Sequence, residues 1–182
     1  VDTKFLTTEK KLVEILTLIS SEYNVLDIEN KRLMKYSTLY FDSNDKILYK
    51  HHHNKKGNRH KIRIRKYVDS NICYLEVKKK NNVGVTNKFR CSVDDFETKL
   101  SPSSIKFIKK NTNYSHILNP VLSNTFNRFT LVNKKQPERV TIDSQILFKT
   151  DNSTKSLDKI VVIEVKHEKG KDFLSTPDVN FS

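Results

Sequence analysis

Hydrophobic and polar residues alternate along most of this chain, which is the pattern of β-strands that bury one face. Such strands are predicted at residues 3–7, 36–42, 58–68, 72–80, 85–93, 121–133, 138–148 and 157–167. Many strands of this kind, with few helices, predict an α+β fold built around one large antiparallel sheet or barrel of about eight strands.

Two segments have helical spacing instead. The first runs from Thr8, a suitable N-cap, to about Tyr23, and its apolar positions Leu12, Ile15, Leu16 and Ile19 form a core-facing stripe. The second covers residues 102–111 and carries Pro102 near its start, where a helix tolerates proline. A short helix or turn is predicted after residue 42, and the polar tail 168–182 is expected to be loose.

The strands carry cations on one face and apolar residues on the other. In KIRIRKY, residues 61–67, alternation places the two isoleucines opposite a row of cations. The same alternation in later strands gives a set of cations that share such faces: Lys61, Arg63, Arg65, Lys78, Lys80, Lys88, Arg90, Arg128, Arg139 and Lys166. Few carboxylates accompany them, namely Glu76, Asp143 and Glu164, and Lys79 falls on the opposite parity from Lys78.

Two arrangements fit this parity. Either the sheet packs its apolar face on helices and shows its basic face to water, or it closes into a barrel with a polar interior. Arginine at residues 63, 65, 90, 128 and 139 favours bidentate contacts to phosphate. Like charges about 4 Å apart repel by roughly 4 kcal/mol at an effective dielectric constant of about 20, so a bound polyanion would stabilise such a cluster.

The composition supports an anionic partner. The net charge is +13, and the three glycines cannot form a glycine-rich phosphate loop, so phosphate would be bound by side chains. The two cysteines, Cys73 and Cys91, form no metal pattern and are expected to be reduced thiols in a cytoplasmic protein. No apolar run approaches the roughly 20 residues that span a membrane.

Several motifs then occur in a characteristic order: Tyr40-Phe41-Asp42, the KIRIRKY strand, YLEVK at residues 74–78, Asn127-Arg128, Arg139 with Asp143, and Glu164 with Lys166. This set resembles the VTC domain of the triphosphate tunnel metalloenzyme (CYTH-like) superfamily. The resemblance covers nearly the whole chain, and it implies a single domain, residues 1–182, that forms an antiparallel β-barrel tunnel with a basic lining and a few flanking helices.

The resemblance also implies a function. Characterised eukaryotic members are polyphosphate polymerases, transferases that make inorganic polyphosphate from ATP and release ADP with the help of Mn²⁺ or Mg²⁺. Carried over by position, the candidate catalytic residues are Arg63, Arg65, Lys78, Arg128, Arg139 and Lys166. The candidate metal ligands are Glu164 and Glu76. Further substrate-binding cations are expected at Lys4, Lys61, Lys80, Lys88 and Arg90.

Some features depart from the superfamily or have simpler interpretations. The first strand, residues 2–6, lacks the paired glutamates of an ExExK strand, which disfavours a two-metal triphosphatase. Family members usually continue past an FS pair, so we expect truncation at Phe181-Ser182. The three histidines at residues 51–53 are expected in a solvated turn. Glu76 is expected to pair with Lys78 or a facing arginine. Asp143 is expected to orient Arg139.

Three functions therefore stay open. The first is an ATP-dependent polyphosphate polymerase, and the second is a relative that binds or hydrolyses polyphosphate or tripolyphosphate. The third is a nucleic-acid-binding module. Proteins that bind single strands stack the bases on aromatic rings of their basic face. Here Phe89 and Phe129 lie opposite the basic parity, with Tyr74 and Phe126 as exceptions, so this function is disfavoured.

Overall fold

The structure, a computed structural model, describes residues 2–167. In this part of the chain there are ten strands, three α-helices and one short 3₁₀ turn, Val68–Ser70. The helices are α1 (Glu9–Ile19), α2 (Ile47–His53) and α3 (Pro102–Asn111). The strands are β1 (Asp2–Thr8), β2 (Tyr23–Val25), β3 (Met34–Asp42), β4 (Arg59–Tyr67), β5 (Ile72–Lys80), β6 (Thr86–Val93), β7 (Asn119–Asn133), β8 (Arg139–Lys149), β9 (Thr154–Leu157) and β10 (Ile160–Lys166).

The predicted α+β class, with mainly antiparallel strands and few helices, is confirmed. The described chain forms two compact units: unit 1 comprises residues 2–35, 125–147 and 155–167, and unit 2 comprises residues 36–124 and 148–154. The single domain predicted for residues 1–182 stays a prediction.

Unit 1 is a sheet with the strand order β1-β10-β8-β7, covered by helix α1 on its apolar face. The side chain of Thr8 accepts a hydrogen bond from the backbone N–H of Lys11, so the predicted N-cap of α1 is confirmed. Leu12, Ile15 and Ile19 of α1 pack against residues of β8 and β10, among them Ile142 and Ile163. The helical stripe and the β-branched faces therefore form one core.

Unit 2 contains the antiparallel sheet β3-β4-β5-β6. Its apolar face carries Phe41, Ile62, Ile64, Leu75 and Val77, all of which are buried. This face is covered by Leu48 of α2, Ile108 of α3 and Leu100. Ile62 and Ile64 are thus core residues, and Arg63, which lies between them, points to the other side, as the alternation predicts.

Helix α1 ends at Ile19, four residues before the predicted end. Tyr23 instead begins β2, where it pairs with Asn133 of β7, and its buried hydroxyl donates a hydrogen bond to Glu138. The tertiary partners of Tyr23 thus override the predicted continuation of the helix to this residue. The predicted strand over residues 157–167 is also divided, because a turn at Asp158 and Lys159 separates β9 from β10.

Three further predictions concern the cysteines, the absence of a membrane-spanning segment, and the C-terminal tail. Both cysteines are free thiols. Within residues 2–167, no helix combines the length and the apolar character that crossing a bilayer requires. The loose tail and the proposed truncation at Phe181-Ser182 lie outside the described residues.

The YFD motif fixes the short helix α2. The carboxylate of Asp42 is buried and accepts hydrogen bonds from three backbone N–H groups, those of Ser43, Leu48 and Tyr49, at 2.8–2.9 Å. Two of these donors lie in the first turn of α2, where a helix has no internal acceptors. Asp42 therefore serves as the cap of α2, which is a structural role for this motif.

We expect Asp42→Ala to lower the free energy of unfolding by about 2 kcal/mol, because the first turn of α2 would lose its acceptors while remaining partly buried. Asp45→Ala is the matched control, since Asp45 is exposed in the same loop. Urea titration of both variants measures the difference. Equal stability of the two variants would show that the cap contributes nothing.

Candidate functional site

One face of unit 2 is densely cationic. The antiparallel register of β4, β5 and β6 aligns Lys61, Lys78 and Lys88 in one row across the sheet. Rows above and below continue the pattern. We call this surface the basic face; in these three fully described strands it comprises eight cations, Arg59, Lys61, Arg63, Arg65, Lys78, Lys80, Lys88 and Arg90, and one carboxylate, Glu76.

Glu76 lies at the centre of the basic face and is completely buried. Nε and Nη2 of Arg63 lie 2.7 and 2.6 Å from one of its carboxylate oxygens, and Nζ of Lys88 lies 2.7 Å from the other. Burial by itself would raise the pKa of Glu76, but the charge of Arg63 and hydrogen bonds from Lys88 and Arg63 lower it to about 2. Glu76 is therefore a carboxylate throughout the physiological pH range.

Two cations around Glu76, Arg63 and Lys78, are influenced by further neighbours. Arg63 is buried and also donates a weak hydrogen bond, 3.3 Å, to the hydroxyl of Tyr40. Burial and the charges of Arg63 and Arg65 lower the pKa of Lys78 to about 8. An anion bound beside Lys78 would favour the charged form of its ammonium group.

Tyrosine rings support the arginines at one end of the basic face. The guanidinium of Arg65 lies 5.6 Å from the ring centre of Tyr36, and that of Arg90 lies 4.7 Å from the ring centre of Tyr74. Tyr67 packs between the two rings, 5.1 Å from Tyr36 and 6.1 Å from Tyr74. These distances are within the range of cation–π and aromatic pairing.

This finding corrects the expectation that aromatic residues mostly avoid the basic parity. Besides Tyr74, the rings of Tyr36, Tyr40 and Tyr67 share the face of Arg63 and Arg65. The same register adds Arg59 to the site. The signal was present in the sequence, because Tyr67 has the parity of Lys61 and Arg63 within KIRIRKY.

The corresponding face of unit 1 has mixed charge. Lys4 pairs in register with Glu164, and the next row aligns Asp2, Lys166 and Arg139. Nζ of Lys166 lies 3.9 Å from the Glu164 carboxylate, which is partly exposed. In contrast to the basic face, cations and carboxylates are here interleaved.

Arg128 of β7 pairs with Asp143 of β8 in unit 1. Two nitrogens of its guanidinium donate to the two carboxylate oxygens at 2.5 and 2.6 Å, and the guanidinium lies 5.2 Å from the ring centre of Phe126. Asp143 thus holds Arg128, which corrects the expectation that it orients Arg139. The predicted pairing of Glu76 with a facing arginine is confirmed, with Arg63 as the partner and Lys88, not Lys78, as the second cation.

The two candidate metal ligands differ in their fit to a divalent cation. Both oxygens of Glu76 are taken by cations within a buried network, so Glu76 does not fit a metal. Glu164 is accessible and could supply one oxygen. In residues 2–167 no three histidine, cysteine or acidic side chains come together as a ligand set, and the three histidines lie in the last turn of α2. Such a site fits Mg²⁺ or Mn²⁺ only if phosphate oxygens and water complete the coordination.

The model of the VTC domain family matches residues 1–178 of the sequence. The chain belongs to the VTC domain family. The resemblance inferred from the ordered motifs is therefore confirmed. No curated protein matches the sequence.

Solved structures of similar fold come from distant proteins. A putative adenylate cyclase from Bacillus halodurans is 13% identical, with a TM-score of 0.52 over 91% of this chain and 78% of its own. Putative adenylyl cyclase HpAC1 from Hippeastrum, described as having a dominant triphosphatase activity, is 13% identical with a TM-score of 0.52, covering 92% and 79%. A conserved hypothetical protein from Pyrococcus furiosus is 14% identical, with a TM-score of 0.50 and coverage of 93% and 80%. At these identities the similarity shows the fold of the VTC domain and not its activity.

The buried network of Glu76 predicts a pH-dependent stability. Because the pKa of Glu76 is about 2 in the folded protein and 4.5 ordinarily, the unfolded chain binds more protons between these values. The stabilisation is complete above about pH 5 and is lost as the pH falls toward 2, by roughly 3 kcal/mol.

Glu76→Gln tests this interaction. At pH 7 we expect a loss of about 3 kcal/mol, because the charge of Arg63 would stay buried without its carboxylate. Urea titrations at pH 7, 5, 4 and 3 should show wild type and variant converging as the pH falls. Parallel pH profiles would contradict the assignment of the acid transition to Glu76.

Proposed function

We propose that this VTC domain is a polyphosphate polymerase that transfers the γ-phosphate of ATP to the end of an inorganic polyphosphate chain, assisted by Mn²⁺ or Mg²⁺. The observation that carries the proposal is the basic face of unit 2, where the described strands β4, β5 and β6 carry eight cations and one fully buried carboxylate. Its excess positive charge suits a triphosphate or a polyphosphate chain. Membership of the VTC family supports polyphosphate as the product.

The arrangement of the basic face suits a linear polyanion. Rows of cations succeed one another along the strands: Arg59 with Lys80, then Lys61 with Lys78 and Lys88, then Arg63 with Arg90, then Arg65. Alternate residues on a strand are spaced by about 6.6 Å, which is longer than one P–O–P repeat, so successive rows would contact phosphates further along an extended chain and not each adjacent phosphate. A compact anion would use only one or two of these rows.

The chemistry requires charge neutralisation and alignment more than covalent catalysis. A terminal phosphate oxygen of the chain attacks the γ-phosphorus of ATP, a new P–O–P bridge forms, and the bond to the β-phosphate oxygen breaks with its electrons leaving on ADP. Arg63, fixed by Glu76, and the charged form of Lys78 would stabilise the nonbridging oxygens. Arg65 and Arg90, supported by tyrosine rings, would hold neighbouring phosphates.

Glu164 of unit 1 is the proposed metal ligand. A divalent cation held by one carboxylate and by phosphate oxygens would supply further charge neutralisation. Lys4, Arg139 and Lys166, which surround Glu164 in the register, are proposed phosphate contacts. Arg128 stays a proposed phosphate-binding residue, with its guanidinium oriented by Asp143.

A tripolyphosphate hydrolase is the second candidate, since HpAC1, which has a similar fold, is described as having a dominant triphosphatase activity. The first strand argues against a two-metal version of this chemistry. Strand β1 presents Asp2 and Lys4 where paired glutamates would be needed, and Asp2 lies in register with Lys166.

A nucleic-acid-binding module is less well supported. Base stacking needs open aromatic faces beside cations. On the basic face, the rings of Tyr36, Tyr40 and Tyr74 already lie against arginine guanidinium groups. A base would have to displace these arginines from the rings.

Incubation of the protein with ATP and Mn²⁺ or Mg²⁺ should yield ADP together with polyphosphate detectable by gel electrophoresis. Arg90→Gln should weaken tripolyphosphate binding about tenfold, equivalent to 1.4 kcal/mol, because Arg90 is an exposed member of the basic face. Lys106→Gln removes an equal charge from the exposed side of α3 and should leave the affinity unchanged.

The products separate the candidate functions. ADP and phosphate without a chain product would favour the hydrolase over the polymerase. Tight tripolyphosphate binding without turnover would favour a binding module. Equal affinities of the two charge variants would contradict the basic face as the binding site.

Lys78 should make anion binding pH-dependent. Since the pKa of Lys78 is lowered to about 8, by burial first and then by Arg63 and Arg65, the free protein loses this charge as the pH rises from 7 to 9. Affinity for tripolyphosphate should fall about tenfold more over this range in wild type than in Lys78→Arg, whose guanidinium stays charged. Calorimetric titrations at both pH values measure the ratio; identical profiles would show that Lys78 is not in contact with the anion.

A further inference from the structure

Unit 2 contains a cavity of about 530 Å³ at one end of the basic face. Its walls are mainly apolar and come from β3, α2, β4, β7 and β8: Phe41, Leu48, Ile62, Val121, Leu122 and Phe148. The volume is within the range of about 300–1,000 Å³ that small-molecule sites occupy. An apolar cavity of this kind does not suit a bare phosphate chain.

The cavity and the basic face share two residues. Tyr40 and Lys61 line the cavity, and both belong to the face of Arg63. Lys46, His52 and His60 also line it, together with Asp42, whose carboxylate is engaged by backbone N–H groups of α2. Burial lowers the pKa of His52 most, followed by the charges of Lys61, Arg59 and Lys80. These three cations belong to the basic face, so their charges act on a side chain that lines the cavity.

We propose that this cavity binds the nucleoside of the nucleoside triphosphate donor, while the phosphates extend from Lys61 along the basic face. The inference rests on the proposed function and specifies its donor site. A molecule with a flat, largely apolar end and a polyanionic end matches the two adjoining surfaces of unit 2.

The available aromatic ring favours this cavity over the tyrosine cluster at the other end of the basic face. Tyr49 of α2 lines the cavity and is 61% exposed, and its ring stacks on His53 with 5.9 Å between the ring centres. In the tyrosine cluster, by contrast, Arg65 and Arg90 cover the rings of Tyr36 and Tyr74. A base can therefore stack on Tyr49 without displacing a cation.

Such a site would distinguish the donor from the product. ATP and polyphosphate both present phosphates to the same cations, and only ATP carries a group that the cavity can bury. Apolar contact with Leu122 and stacking on Tyr49 would therefore add affinity for ATP alone. This addition would let ATP compete with the product chain for Lys61 and its neighbours.

The test compares a non-hydrolysable ATP analogue with inorganic tripolyphosphate by calorimetry. Tyr49→Ala removes the ring and Leu122→Trp fills the cavity; Tyr49→Phe and Leu122→Met, which keep ring and volume, are the matched controls. We expect both test variants to bind the ATP analogue about tenfold more weakly, to bind tripolyphosphate within about twofold of wild type, and to show a raised KM for ATP. Because Tyr49 is largely exposed, Tyr49→Ala should unfold with wild-type stability in a thermal scan.

The contrary outcomes are distinct. Unchanged affinity for the analogue in both test variants would overturn the cavity assignment and leave the proposed polymerase intact. The same holds if Tyr74→Ala, rather than Tyr49→Ala, selectively weakens the analogue, because the nucleoside would then lie at the tyrosine cluster. If wild type binds neither the analogue nor tripolyphosphate, the proposed function itself is wrong.

Discussion

The ion pairs of the buried Glu76 are the interaction on which the basic face of unit 2 depends. Three neighbouring strands bring eight cations together, and without an internal carboxylate their repulsion would oppose the pairing of β4, β5 and β6. Glu76, whose carboxylate is buried, neutralises Arg63 and Lys88, the two cations it contacts. Within β4, β5 and β6 the basic face therefore keeps an excess of positive charge.

The net charge of +13 is unevenly distributed over the molecule. In unit 1, Asp2, Asp143 and Glu164 are interleaved with the cations, and the bidentate pair of Arg128 and Asp143 resembles an ordinary structural ion pair. In unit 2, the basic face has a single carboxylate in its three described strands. The two units therefore offer different chemistry: one an almost purely cationic surface, the other a surface where an accessible carboxylate stands among cations.

Alternation along each strand was sufficient to predict which side chains share a face, because side-chain direction depends only on position within the strand. Alternation correctly placed Lys78 and Lys79 on opposite faces of the sheet, and likewise Ile62 and Arg63. Alternation cannot tell which residue of the next strand lies opposite, since that depends on the offset between strands. For this reason Lys88 was missed as a partner of Glu76, and Asp143 was assigned to Arg139 in place of Arg128. Helix α1 was predicted too long because the partner of Tyr23 is Glu138, more than a hundred residues away.

The tyrosine rings beneath Arg65 and Arg90 have a thermodynamic consequence. A long, freely rotating side chain loses conformational entropy when it is immobilised by a ligand, at a cost of about 0.5–1.5 kcal/mol for each chain. Arg65 and Arg90 already rest against Tyr36 and Tyr74 in the protein described here. Much of their disorder is therefore given up during folding, and an anion that arrives at this end of the sheet meets guanidinium groups whose orientation is set in advance.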